Sequence, residues 1–360
     1  MGLLVGMVPV LCKRACVAEV IGLDAGVGEH DLEVLRWVGY LKALSCSQVA
    51  VLLFGGDLER AYYVLGALVK AGLLRQKPDP WDKRKRVVVL TARGARAVGL
   101  SEGLARLEDG EYVAAVGDNE FYVRAVVAGI PPGDILSRRE ALRATGRAPS
   151  RWCAVSWGVR HEGGLHFVYV KKEQLTRGQL CDSVRRCGQY ASGHTLVLRT
   201  EKELRSSVRA LLREAPVPPL KVITLDEVGV FAWGVRESFG CVAERLMWAY
   251  APGGRLVGVE AGWLAAFAWS HPRRGQMLLA DLRLGDLQVV NGLIGHDVRR
   301  RPVTVFVASE AQARRWARHL AGLEGLWFLV CEPHGWSGLY RLQSGQVILH
   351  RAADRKEAAL

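Results

Sequence analysis

No stretch of this sequence approaches the roughly 20 uninterrupted apolar residues that a membrane-spanning helix needs, because charges or glycines break every hydrophobic run first. Nor is there a Cys-x-x-Cys pair. The eight cysteines stand at 12, 16, 46, 153, 181, 187, 241 and 331. Neither Cys12 with Cys16 nor Cys181 with Cys187 has a histidine partner close by, so reduced thiols of a cytosolic protein are expected and metal is not. There is no G-x-S-x-G elbow. The pairs Gly55-Gly56, Gly163-Gly164 and Gly253-Gly254 do not run into the lysine and hydroxyl residue of a phosphate loop. Nucleophilic catalysis and a nucleotide cofactor are therefore not expected. The opening MGLLVGMVPVLCKRAC places its cations after the apolar segment, the reverse of a secretory leader, and reads as a first strand or packed N-terminal segment.

Negative charge is also scarce. Lys and Arg number 49 against 36 Asp and Glu, which leaves a net charge of +13 and an isoelectric point near 9.6 over 360 residues. Such a surface attracts a polyanion without help from any motif. No basic amphipathic helix offers an apolar face to insert into lipid, so nucleic acid, not a membrane, is the expected partner.

In HDLEVLRWVGYLKA (30–43), Leu32, Leu35, Val38 and Leu41 recur at helical spacing. In SCSQVAVLLF, Ser45 and Gln48 make an S-x-x-Q capping box that starts a second helix near Cys46. Gly55-Gly56 ends it, and Asp57 caps a third helix, DLERAYYVLGALVKAG, with Ala61, Val64, Leu65 and Leu68 inward and Gly72 as its stop. The short strands LLRQ and VVVLTA then flank KPDPWDKRKR, and RGARAVGL follows as a short helix. Three helices and a hairpin predict a winged helix over 30–100, in which the third helix approaches the major groove and the hairpin tip lies along the backbone.

The tip carries Lys77, Trp81, Lys83, Arg84, Lys85 and Arg86. The four consecutive cations are expected to hold phosphate, and Trp81 to stack on a base or ribose. The outward stripe of the third helix offers Arg60, Tyr63 and Lys70. One arginine and no amide make base-specific readout weak, so phosphate-dominated binding to duplex DNA is the expectation.

From about residue 110 strands alternate with helices, and the pattern is duplicated. WCAVSWGVRHEGGLHFVYVK (152–171) matches WLAAFAWSHPRRGQMLLADLR (263–283). Trp152, Trp157, Trp263 and Trp269 recur at strand positions and are assigned to the core. Two tandem α/β modules are expected, at 110–228 and 236–345, between an N-terminal segment (1–29) with the winged helix and a charged tail (346–360). The fold class is thus mixed α+β and α/β.

The strand order of each module resembles the restriction-endonuclease-like fold, whose chemistry uses a first Asp and a later Asp/Glu-x-Lys to hold a divalent metal. Alignment of strands puts Tyr169 and Lys171 at that site in the first copy, and Asp281 and Arg283 in the second. Cys153 and Leu264 fall near the missing first Asp. Hard cations need carboxylate oxygens, and neither copy offers the pair. Lys171, Arg185 and Arg186 are then candidates for secondary DNA contacts.

Together, LSCSQVAVLLF, VKAGLLRQ, LTARGARAVG, GEYVAAVGDNEFYVRAVV and the strand ending HFVYVK resemble the replication-relaxation family of plasmids and integrative elements, over about 30–228. The resemblance implies a DNA-binding accessory protein of mobile-element replication or transfer, with a nuclease-like α/β domain after the winged helix. The sequence departs from the family in carrying Tyr169 where an acidic residue is common. With the missing carboxylates, this makes a non-enzymatic, cytoplasmic protein the expectation, with a replication or transfer protein as a further partner and a homodimer as a further expectation. A transcriptional regulator built on the same winged helix and a metal-dependent nuclease are the alternatives.

Overall fold

The computed structural model describes residues 28–79, 85–101, 109–146, 153–162, 164–171, 175–259, 267–273, 275–298, 300–333 and 335–352. The chain divides into two compact units, Met1–Leu136 and Ser137–Leu360.

The first unit opens with α1 (Glu29–Leu41), β1 (Leu44–Ser45), α2 (Cys46–Leu53) and α3 (Leu58–Lys70). The capping box forms: the Gln48 amide N–H donates to Ser45 Oγ (3.2 Å), and the Ser45 N–H donates to Gln48 Oε1 (2.9 Å). Asp57 Oδ1 accepts from the Arg60 N–H at 3.0 Å and starts α3. The wing is β2 (Leu74–Pro78) and β3 (Arg86–Leu90), antiparallel with Gln76 opposite Val88. The two-residue β1 adds to β3 on its other side, giving a three-stranded sheet in the order β1-β3-β2 where the sequence suggested only a hairpin. A strand of two residues has no periodicity by which to be seen.

Helix α4 (Ala92–Ala97) then packs back on the turn after α3. The Thr91 hydroxyl donates to Gly72 O (2.7 Å), and the approach is so close that a Cβ on Gly94 would stand 2.0 Å from Leu73 O. Helix α5 (Asp109–Val127), expected at the head of the first α/β module, packs on the winged helix instead. The buried Asn119 Nδ2 donates to Leu41 O (2.8 Å) and Ala43 O (2.6 Å), and Gln48 Nε2 donates to Glu120 Oε2 (3.0 Å). Trp37, Tyr40 and Tyr122 meet edge-on around it, with centroids 6.0–6.3 Å apart. Phe121, Tyr122 and Ala125 of α5 are fully buried, whereas Val127 at its end is exposed.

After β4 (Ile135–Ser137) and α6 (Arg138–Ala144), the second unit carries the duplication. The first copy runs β5 (Trp157–His161), β6 (Gly164–Val170), α7 (Arg177–Cys187), β7 (Gly193–Leu198), α8 (Glu201–Leu211) and β8 (Lys221–Thr224). Two helices follow, α9 (Val228–Arg236) and α10 (Phe239–Tyr250), and then β9 (Arg255–Gly258). The second copy runs β10 (Phe267–His271), β11 (Gly275–Asp281), α11 (Leu287–Ile294), β12 (Val303–Val307), α12 (Glu310–His319) and β13 (Trp327–Glu332). Each copy pairs its first two strands antiparallel and its next two parallel. Trp157 and Trp269 are buried, as their recurrence suggested; Trp152 and Trp263 lie outside the described residues.

The sheets are five-stranded, β4-β5-β6-β7-β8, and seven-stranded. The larger one is completed by β14 (Gly335–Gln343) and β15 (Gln346–Ala352). Residues 346–352, expected within a charged tail, therefore form one of its edge strands, with β9 at the other edge. The copies join at close quarters: the Leu287 N–H donates to Leu220 O (3.0 Å), and the Val222 N–H donates to Leu284 O (3.2 Å). Gly285 sits there at φ +63, where a Cβ would stand 2.4 Å from Val222 O. Buried Arg315 of α12 clamps the junction, with Nη1 2.9 Å from Glu227 Oε1 and Nη2 2.6 Å from Glu201 Oε2.

Candidate nucleic-acid interface

Helix α3 holds to its domain by one stripe and offers the other to solvent. Ala61, Leu65 and Leu68 are buried and Val64 is half-buried, as their spacing predicted. Opposite them, Tyr63 is 81% exposed and Tyr62 is 65% exposed, while Lys70 and Ala67 are open to solvent. Gly66 lies between, and a Cβ there would meet nothing within 4 Å, so packing does not demand its small size. The bare backbone at Gly66 and Ala67 lets another surface come close to the helix axis, with two phenol hydroxyls on one side and an ammonium on the other. Tyr62 adds to the residues that the sequence pointed to. Its signal is local: it follows Ala61 by one residue, about 100° around the helix from the buried stripe.

Arg60 is exposed, and its guanidinium lies over the Phe54 ring at 5.2 Å, so its stem is fixed toward the end of α2. A guanidinium on an aromatic face keeps its N–H edge available for phosphate. In the wing, the Asp79 N–H donates to Lys85 O (3.0 Å), which closes the hairpin ends around residues 80–84. Lys85 and Arg86 are exposed. Lys77 is half-buried with its ammonium 4.5 Å from the Tyr112 ring centre, so it packs toward α5. Trp81, Lys83 and Arg84 lie outside the described residues.

In the second unit, the positions compared with a metal site hold side chains occupied by one another. Tyr169 is buried, and its hydroxyl lies 2.9 Å from His194 Nδ1. Burial, with the nearby Cys187 and Cys153 sulfurs, pushes the Tyr169 phenol well above its ordinary range. Asp281 faces Arg283 in a bidentate pair, with Nε to Oδ1 and Nη2 to Oδ2 both 2.9 Å. Arg283 is itself buried, stacked 4.6 Å from the Trp233 ring centre. Burial works against its charge, but Asp281 more than offsets that and the guanidinium is held above its usual pKa. Lys171 donates its ammonium to Leu175 O, Arg185 pairs with Asp182 at 2.8 Å, and Arg186 is exposed. Cys153 is buried near the position of the missing carboxylate, and Leu264 lies outside the described residues.

Residues 27–94 match the family of the Winged helix DNA-binding domain. No curated protein matches the chain. Among solved structures, a mutant MarR from E. coli complexed with operator DNA is similar at 20% identity, covering 28% of this chain and 76% of that one, with a TM-score of 0.20. No described helix is long and apolar enough to cross a membrane. The chain thus carries an N-terminal winged-helix DNA-binding domain within a mixed α+β structure.

Proposed function

We propose that this protein binds duplex DNA through its winged helix as a non-catalytic accessory factor in the replication or mobilisation of a mobile element. The observation that carries the DNA-binding reading is the division of α3: Ala61, Leu65 and Leu68 anchor it, while Tyr62, Tyr63, Lys70 and the small residues between them face outward. Two phenols and a few cations suit phosphate and sugar better than base edges, so affinity comes chiefly from the backbone. The replication or transfer role rests on the resemblance of residues 30–228 to the replication-relaxation family. A transcriptional regulator would use the same α3 and wing, and the basic +13 charge serves either role.

The absence of catalysis is supported by the side chains at the compared metal positions. Both Asp281 oxygens accept from Arg283, and Tyr169 stands where the first copy would need a carboxylate. A two-carboxylate site acts by setting a divalent ion against the scissile phosphate, and a carboxylate committed to arginine is a poor ligand for one.

Genome-wide mapping of bound DNA in the native host tests the role directly. Peaks at a replication or transfer origin support the accessory role, and peaks confined to promoters replace it with the regulator. Incubation of the purified chain with supercoiled DNA and magnesium or manganese tests the rest. Nicking that disappears in Asp281→Ala would overturn the non-catalytic reading.

A further inference from the structure

The described cysteines occupy unlike settings. Cys241 is exposed, Cys46 and Cys181 are half-buried, and Cys153, Cys187 and Cys331 are buried. Burial pushes the Cys331 thiol well up, which makes it an inert packing group. Cys153 and Cys187 differ because they face each other. Cys187 ends α7 and Cys153 lies in the approach to β5, 34 residues earlier, yet their sulfurs stand 3.5 Å apart. Ser183 Oγ, one turn back on α7, is 3.5 Å from Cys153 Sγ and accepts from the Ala154 N–H at 3.0 Å.

Two thiols packed only to fill space need no polar company. Here the helix end and the strand approach are stitched together by Ser183, and the facing sulfurs belong to residues 7% and 8% exposed. A disulfide needs its sulfurs at about 2.05 Å, so the two sulfurs, already in contact, have a gap of about 1.5 Å to close. We propose that Cys153 and Cys187 are a site of reversible oxidation, joined as an intramolecular disulfide when the protein meets a hydroperoxide.

Cys153 is the attacking sulfur. The hydrogen bond from Cys187 lowers its pKa to about 6 against the opposing effect of burial, with Ser183, a backbone N–H and the more distant Arg138 charge adding to the lowering. Its thiolate attacks one peroxide oxygen; the S–O bond forms, the O–O bond breaks, and hydroxide leaves and takes a proton to become water. The Cys187 sulfur then attacks the sulfenic sulfur of Cys153. The S–S bond forms, the S–O bond breaks, and the hydroxyl departs as water with the Cys187 proton. Two thiols are oxidised by two electrons, and one hydroperoxide (as hydrogen peroxide) is reduced to two waters. An external dithiol reverses the step by exchange. The bond would tether the last turn of α7 to the approach of β5. None of this rests on the DNA-binding reading.

The test is peptide mapping of the full reduced chain after hydrogen peroxide, with remaining thiols alkylated. The expected result is a linked pair of peptides containing Cys153 and Cys187, two hydrogens lighter than their sum and separated by dithiothreitol. In Cys187→Ala, where the resolving sulfur is missing, dimedone should instead label Cys153. The wild-type map decides the matter even if that variant fails to fold. Peroxide treatment that leaves both residues alkylatable, links Cys153 to a different cysteine, or carries Cys153 to sulfinic acid while Cys187 stays a thiol would overturn the proposal.

Discussion

Removing the charge of Arg60, Lys70, Lys85 and Arg86 together, each to Ala, tests whether α3 and the wing share one DNA backbone. All four are exposed. None of them is part of the buried stripe of Ala61, Leu65 and Leu68, so the fold should survive. Each phosphate that is no longer neutralised should reduce the slope of log affinity against log salt by about 0.9. Four such phosphates correspond to a slope smaller by about 3.6, so that between 50 and 200 mM salt the fall in affinity should be roughly 150-fold smaller than that of the parent. Fluorescence anisotropy of a labelled duplex across that salt range measures it, with circular dichroism to check folding. The slope, not the affinity at one salt concentration, is the diagnostic, because a partly unfolded variant binds less without a proportionate change in slope. A folded variant with the parental slope would remove this face from the interface.

Three other outcomes are expected. Leu68→Ala, at a site 2% exposed, should cost about 2–5 kcal/mol in urea unfolding, whereas Arg60→Ala should weaken DNA binding with stability within about 0.5 kcal/mol of the parent. Equal destabilisation by both would mean that α3 faces the other way. Burial lowers the pKa of His194 to about 4, and its Nε2 is buried with no hydrogen-bond partner, so the folded state holds it neutral. The unfolded chain then binds the extra proton between about pH 6.5 and 4, so His194 makes stability fall as pH falls across that window, by at most about 1.4 kcal/mol per unit, alongside the likewise lowered His166; His194→Gln should reduce, not abolish, the slope of that stretch of a urea-midpoint titration. Arg315→Ala removes the guanidinium shared by Glu227 and Glu201 at the junction of the two copies, while Glu227 keeps its bonds from Gln312 and Thr224 and Glu201 keeps Arg205; it should cost about 1–3 kcal/mol, and an unfolding midpoint unchanged by it would show that the clamp contributes nothing.

Much of the winged helix is legible in the sequence because its signals are local. The Ser45–Gln48 box and the Asp57 cap act over three residues, and Ala61, Leu65 and Leu68 repeat at the period of one helix. The duplication is legible for a related reason, since two copies of one pattern, with Trp157 and Trp269 in matching strands, need no knowledge of what touches what. The exposed tyrosine face is only half legible. Spacing from the two cations marks the stripe of Arg60, Tyr63 and Lys70, whereas Tyr62 lies off that stripe and joins the exposed face only because the buried stripe is as narrow as the structure shows.

What the sequence by itself determined was therefore the segments whose hydrogen bonds and apolar periods close within a few residues: the helices with their caps, the wing strands and the repeated strand–helix order. Tertiary structure alone decided where those segments go. Asn119 binds α5 to the carbonyls of Leu41 and Ala43, 78 and 76 residues away in the chain. Arg315 reaches Glu201 across 114 residues, β14 and β15 extend a sheet past the end of the repeat, and Cys153 meets Cys187 across the end of a helix. Each is a contact between groups with no common period and no local signature, and it exists because buried polar groups and apolar faces must find partners wherever packing brings them.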